Sequence, residues 1–238
     1  MHGFHVMHGF HVMHGFHVMR GLHACAILLC LAIPAGAVIV DRVAITLGNK
    51  VITDSEIDLR IRLTAFQNGE KPDFSLAARQ QAAQRLLDQK LIDREMEVGR
   101  YPVLDAGTTK ELLSAYAKTN YRSNPAAMDA ALHADGLTEQ DLEGDLAHQA
   151  ALLTFLNLRF RPAVQVTDQD VQKYFREHGA KGSLNDMRAG IEQKLTDERA
   201  NQELDIWLAD QRQRAAIGYV EKTVAPPPGS GKTGSDGK

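Results

Sequence analysis

Between Thr53 and Ala216 apolar side chains recur three, four or seven residues apart, and the runs are parted by residues that cap or break helices. That spacing gathers apolar groups on one face of a helix, so the chain must hide one face of each helix against the others. Thr53 to Glu56 has the Thr-x-x-Glu spacing of a capping box, in which each end satisfies an orphan amide of the other. The helix it opens carries Ile57, Ile61, Leu63 and Phe66 and stops at Asn68-Gly69. A second helix runs from Ser75 to Gly99, with Leu86, Leu87, Leu91, Ile92 and Met96 inward and Gln80, Gln84, Asp88 and Arg94 on the outer face. Gly99 is its stop, and Tyr101-Pro102 prevents continuation.

A third helix, Asp105 to Asn120, carries Leu112, Leu113 and Tyr116 on one side. Asn124-Pro125 opens a short fourth that ends at Asp135-Gly136. The fifth starts at Thr138, repeats Leu142, Leu146, Leu153, Leu156 and Phe160, and ends at Arg161-Pro162. After an extended piece, Val164 to Val166, Thr167 caps the sixth, Asp168 to Glu177. A break at His178 to Ser183 precedes a last helix, Leu184 to Ala216. Its apolar clusters lie at the two ends, and the polar run Thr196 to Glu203 between them predicts an exposed centre bridging two contact points.

The flanks of this helical series read differently. Val43, Ile45 and Leu47 alternate with Arg42, Ala44 and Thr46, the period of a half-buried strand. Gly48-Asn49 offers a turn and Lys50 to Ile52 a short return strand. Ile217 to Val220 can form a strand as well, and its pairing with the Val43 strand would hold the last helix as an arm. The expected fold is mainly α: a multi-helix bundle with a long C-terminal helix and a small β element contributed by both ends. Residues 225–238 are Pro, Gly, Ser and Lys almost throughout, too little apolar surface to offset the entropy of ordering, and are expected to be a disordered tail.

The N-terminal region reads as processing and not as fold. Residues 1–18 are the hexapeptide Met-His-Gly-Phe-His-Val written three times, and Met19 follows. Perfect copies point to duplicated coding sequence with Met19 as the true start; a His-rich metal-binding extension is the other reading. Residues 19–37 then have the parts of a secretory signal: Arg20, the apolar run Ala24 to Ile33, and the small residues Ala35-Gly36-Ala37 with cleavage after Ala37. The run falls short of the ~20 residues that span a bilayer, so no membrane span is expected after cleavage. Cys25 and Cys30 both lie in this signal, which leaves the exported chain without thiol chemistry or disulfides. A net charge of −3, from 27 basic and 30 acidic residues interspersed along the chain, offers no basic block for nucleic acid.

Three stretches carry a family likeness. Val40–Ile57 (VDRVAITLGNKVITDSEI) resembles the opening of the SurA-like periplasmic chaperones. Leu86–Ile92 (LLDQKLI) resembles that family's second-helix signature. Leu204–Ala209 (LDIWLA), with Arg212, Ala215, Ile217 and Tyr219, resembles the helix and strand that close the chaperone domain. The likeness implies a SurA- or trigger-factor-like chaperone bundle in which residues 38–178 form the N-terminal-like helical domain and 184–221 its closing helix and strand. In the family, parvulin-type prolyl isomerase domains lie between these two parts. Here only His178 to Ser183 intervene, and six residues cannot hold a domain whose lower limit is roughly 50. The implied function is ATP-independent holding of unfolded or extended exported polypeptides, outer-membrane proteins among them, in the periplasm, without isomerase activity.

Nothing in the sequence points to a catalytic constellation, a cofactor or a metal site. His133, His148 and His178 stand on separate segments without a nucleophile or paired carboxylate at telling spacing. Thr138 to Asp145 holds four acids, which an acidic first helical turn explains better than a calcium loop. Holding a client takes accessible apolar surface, for which the candidates are Leu63, Phe66, Tyr116, Tyr121, Met128, Phe155 and Phe160. Trp207 is read as a core anchor. Two rival readings stand beside the chaperone: an assembly protein that uses the same groove for homodimerisation or one dedicated partner, and a residual prolyl isomerase.

Overall fold

The computed structural model describes residues 41–178 and 182–226; the hexapeptide repeat, the stretch read as an export signal with its expected cleavage after Ala37, the middle of the 178–183 break and the end of the expected tail lie outside them. Strands β1 (Val43–Leu47) and β2 (Lys50–Thr53) form a hairpin across the Gly48-Asn49 turn. β3 (Ile217–Tyr219) pairs antiparallel with the other edge of β1, Ile45 opposite Tyr219, giving the order β2-β1-β3. The expected pairing of the two chain ends is therefore present. A bulge between Val43 and Ile45 breaks the simple alternation, so Ala44 and Ile45 are both fully buried.

Seven α-helices follow from the capped runs among the described residues: α1 (Asp54–Asn68), α2 (Leu76–Val98), α3 (Ala106–Tyr121), α4 (Pro125–Ala134), α5 (Glu139–Arg159), α6 (Asp168–Glu177) and α7 (Leu184–Arg214). Complete capping boxes start α1 at Thr53–Glu56, α5 at Thr138–Asp141 and α6 at Thr167–Asp170. Each satisfies two amides that would otherwise face solvent unpaired. Val164–Val166 is extended but pairs with no strand. At the end of α2 the left-handed residue is Arg100 (φ 53°), and Gly99 has an ordinary φ of −78°. Gly99 serves a close approach instead: a Cβ there would lie 2.6 Å from Cε2 of Tyr101.

Two hydrophobic cores result. The larger joins the sheet, the first half of α1, α2, the end of α5 and α7 through Ile45, Ile57, Leu87, Phe155, Leu204 and Leu208. The smaller joins the end of α1 to α3, α4 and the start of α5 through Leu63, Phe66, Met128, Leu132, Leu137 and Leu142. Both α1 and α5 run from one core into the other, and Asp145 sits on α5 within the stretch, Leu142 to Leu146, that serves the smaller core.

The structure corrects two sequence expectations. The centre of α7 is not a free bridge: Ala200 is buried, Asp197 pairs with Arg161, and Arg199 pairs with Asp170 at 2.8 Å. Val171 and Ile191 close the contact between α6 and α7, so the polar run lies on the 161–170 segment and exposes only its far face. The supposed outer face of α2 is likewise covered by the C-terminal end at Gln80, Gln84 and Asp88, whereas Arg94 is exposed as expected. Gln80 donates to the Thr223 carbonyl at 2.9 Å, Asp88 accepts two hydrogen bonds from Arg212, and Gln84 reaches the Tyr219 hydroxyl. Packing continues to a 3-10 turn at Lys222–Val224, where Val224 is fully buried.

Candidate functional site

Because α5 crosses α1 and α2 with few direct contacts, hollows remain along the crossing. One, of about 360 Å³, lies between the end of α2, the loop leading to α3, and α5; its apolar lining is Met96, Val103, Leu104, Ala147 and Ala151. Val103 is 89% exposed and so presents a free apolar side chain at this hollow. Asp93, Glu97, Thr109 and His148 complete the lining, with His148 3.5 Å from Asp93. A second hollow, of about 400 Å³, shares His148 with the first and lies among α1, α2, α5 and α7. A third, of about 320 Å³, shares Arg60, Gln89 and Asp145 with the second. Through these shared lining residues the three adjoin as a trough along α2 and α5, chiefly apolar in the first hollow and richer in polar groups in the second and third; each volume falls in the ~300–1,000 Å³ typical of ligand pockets.

The polar end is organised by Asp145, which is 4% exposed. Its carboxylate pairs with Arg60 and accepts from Gln67 Nε2 at 2.6 Å and Gln149 Nε2 at 2.8 Å. Arg60 also donates to Gln89 Oε1 at 2.8 Å, and Gln149 Nε2 reaches Gln67 Oε1 at 2.9 Å. A buried charge is tolerated when it is paired and its remaining lone pairs are hydrogen-bonded, which this network achieves. Asp88, also in the second hollow, is pushed above the ordinary carboxylate range by burial, against the opposing effect of the Arg212 guanidinium.

The seven candidate side chains fall into two groups. Leu63, Phe66 and Met128 are buried in the smaller core, with Tyr116 and Tyr121 half-exposed against it. The Phe66, Tyr116 and Tyr121 rings sit 6.4 Å apart in each pairing, and burial raises both tyrosine phenols above their usual value. Phe155 and Phe160 are buried in the larger core. Phe155 meets Tyr101, Phe160 and Trp207 edge-on at 5.3, 5.5 and 5.4 Å, and Arg159 lies 5.6 Å over the Trp207 ring. Trp207 is thus the expected anchor between α7 and the bundle. In this conformation only Tyr116 and Tyr121 of the seven offer partly open aromatic surface, and of the seven only Leu63 lines any of the three hollows of the trough.

Of the residues lining the three hollows, only Leu63 is among the client-binding candidates read from the sequence. Asp145 reads there only as one of the four acids of an acidic first helical turn, and its partner Arg60 is 85 positions away. Val103 carries the one local signal, an apolar residue beside Pro102 in a break between helices. The histidines remain apart: His133 is 3.4 Å from Asp129, and His178 caps α6 with Nδ1 3.0 Å from the Tyr174 carbonyl and its ring stacked on Tyr174. Among the described residues no group of three His, Cys, Asp or Glu is placed to hold a metal ion, and no helix is long and apolar enough to cross a membrane. No protein-family model matches the chain, and a search of curated proteins finds no match.

Proposed function

We propose that this chain is an exported, periplasmic, ATP-independent chaperone of the SurA-like type, which holds unfolded outer-membrane proteins and has no isomerase activity. The observation that carries the reading is the trough along α2 and α5: open, apolar at the Val103 end, and held between two separate cores. A passive holder needs accessible apolar surface bordered by polar groups, so that an extended chain is kept from aggregating yet released without external energy. The paired chain ends and the Trp207 anchor support it by fixing α7 against the bundle that forms the trough's wall. Purified protein should slow the light scattering of a urea-unfolded outer-membrane β-barrel on dilution, in proportion to its concentration and without nucleotide. Scattering equal to that in buffer alone refutes the proposal.

A second reading, self-association, draws on exposed apolar side chains away from the trough, Ile206 (64%) and Leu153 (59%) among them. Light scattering after size exclusion separates the two: a stable dimer that no longer binds a hydrophobic dye favours assembly over client holding.

A further inference from the structure

The polar end of the trough has a donor and acceptor pattern that follows from chemistry alone. An ionised carboxylate only accepts, so Gln67 and Gln149 must each present their amide nitrogen to Asp145. A guanidinium only donates, so Gln89 must present its carbonyl oxygen to Arg60. The amide groups cannot be flipped without placing N–H against N–H or oxygen against carboxylate. What is left over is therefore fixed: on the α2 wall the Gln89 Nε2 donors, and on the α5 wall the Gln149 Oε1 acceptor, neither with a hydrogen-bond partner among the described residues. Gln89 and Gln149 line the same hollow, whose back wall is apolar through Ile92, Leu152, Leu204 and Leu208.

We propose that this amide-lined hollow binds the main chain of an extended polypeptide segment, a peptide carbonyl accepting from Gln89 and a peptide N–H donating to Gln149, with Asp145 and Arg60 as positioning residues. The inference rests on the client-holding reading and deepens it, by assigning the sequence-independent part of the grip to the polar end of the trough. Neutral amides suit that task, since they match any residue's backbone and add no preference for charge. The buried ion pair holds both amides in one orientation, so little of their rotamer freedom remains to be lost on binding. The apolar back wall takes whatever side chain faces inward.

The test measures binding of a short fluorescent peptide of apolar sequence to the full protein, beside the same peptide with its central backbone nitrogens methylated. Loss of one peptide hydrogen bond should weaken binding about fivefold. In Gln149→Leu, which removes the acceptor together with the Nε2 donor to Asp145 and Gln67, the plain peptide should weaken to the level of the methylated one and the difference between them should vanish. Gln89→Leu should weaken both peptides while the N-methyl difference persists. Equal binding of the two peptides to the unaltered protein means that the amides hold only water, and overturns the inference; so does an undiminished N-methyl effect in Gln149→Leu. If the protein slows aggregation while the N-methyl effect is missing, this inference fails alone. If it neither slows aggregation nor binds the plain peptide, both this inference and the chaperone proposal fail.

Discussion

Replacing Asp145 by Ala should be among the most damaging single changes near the trough, and the cost can be worked from its surroundings. The Asp145 side chain is 2% exposed and that of its partner Arg60 17%. Removing one member of such a pair strands the other charge, which typically costs about 3–5 kcal/mol. Arg60 keeps the Gln89 carbonyl and some access to water, and Gln149 is exposed enough to turn to solvent, which places the expected loss near the lower end, about 3 kcal/mol. The complementary change removes both charges: Arg60→Met with Asp145→Leu leaves no charge stranded and only the partly exposed Gln67, Gln89 and Gln149 amides to turn to water, and should fall within about 1 kcal/mol of the unaltered protein. Urea unfolding followed through Trp207, the single tryptophan, and in parallel by far-UV circular dichroism, gives the four stabilities of the cycle. A single-variant loss below about 1 kcal/mol, or a double variant as unstable as the two singles added, would show that the pair is not buried and mutually satisfied as described.

Phe155→Ala empties the centre of the Tyr101, Phe160 and Trp207 cluster and should cost about 3–5 kcal/mol in the same unfolding assay, with a shift in Trp207 emission in the folded state. Gly218→Ala should loosen the β1–β3 pairing, because the added methyl would stand 2.5 Å from Thr46 Oγ1; a loss of about 1–3 kcal/mol is expected, and no loss would mean that the two ends are not paired in this register. Asp170 is held well below the usual carboxylate range by Arg199 first and then by the Thr167 cap. A depressed folded pKa gives stabilisation that is whole above the unfolded value of about 4 and fades as pH falls toward the folded one. Asp170→Asn should accordingly flatten the acid side of the melting-temperature profile and leave less separation from the parent at low pH than at neutral pH.

What the sequence made legible was local or periodic. Thr53, Asn124 and Thr167 are readable as caps because the bond each makes spans three residues. The strand at Ile217 is readable by alternation and adjacency to the helix end, although its partner Ile45 is far away in sequence. The trough was hidden for the converse reason. Asp145 differs from neighbouring Asp141 only in which way the helix turns it, and that is decided by α1 and by Arg60. Residue type also fails to separate groove from core: Phe155 and Tyr116 look alike as candidates, but one is sealed by Trp207 and the other is half-open. Asp88 and Gln84 read as outward on α2 because nothing in that helix reveals that the C-terminal end lies over them.

The most direct measurement places a photo-crosslinking phenylalanine analogue at Val103, which lines the apolar end of the trough, and at Ile206, which is exposed on α7 and lines no part of it. With an unfolded outer-membrane β-barrel as client, illumination should give an adduct from Val103 that free peptide suppresses, and little from Ile206. Equal adducts from the two positions, or none from Val103 while aggregation is still slowed, would contradict a trough that holds the client.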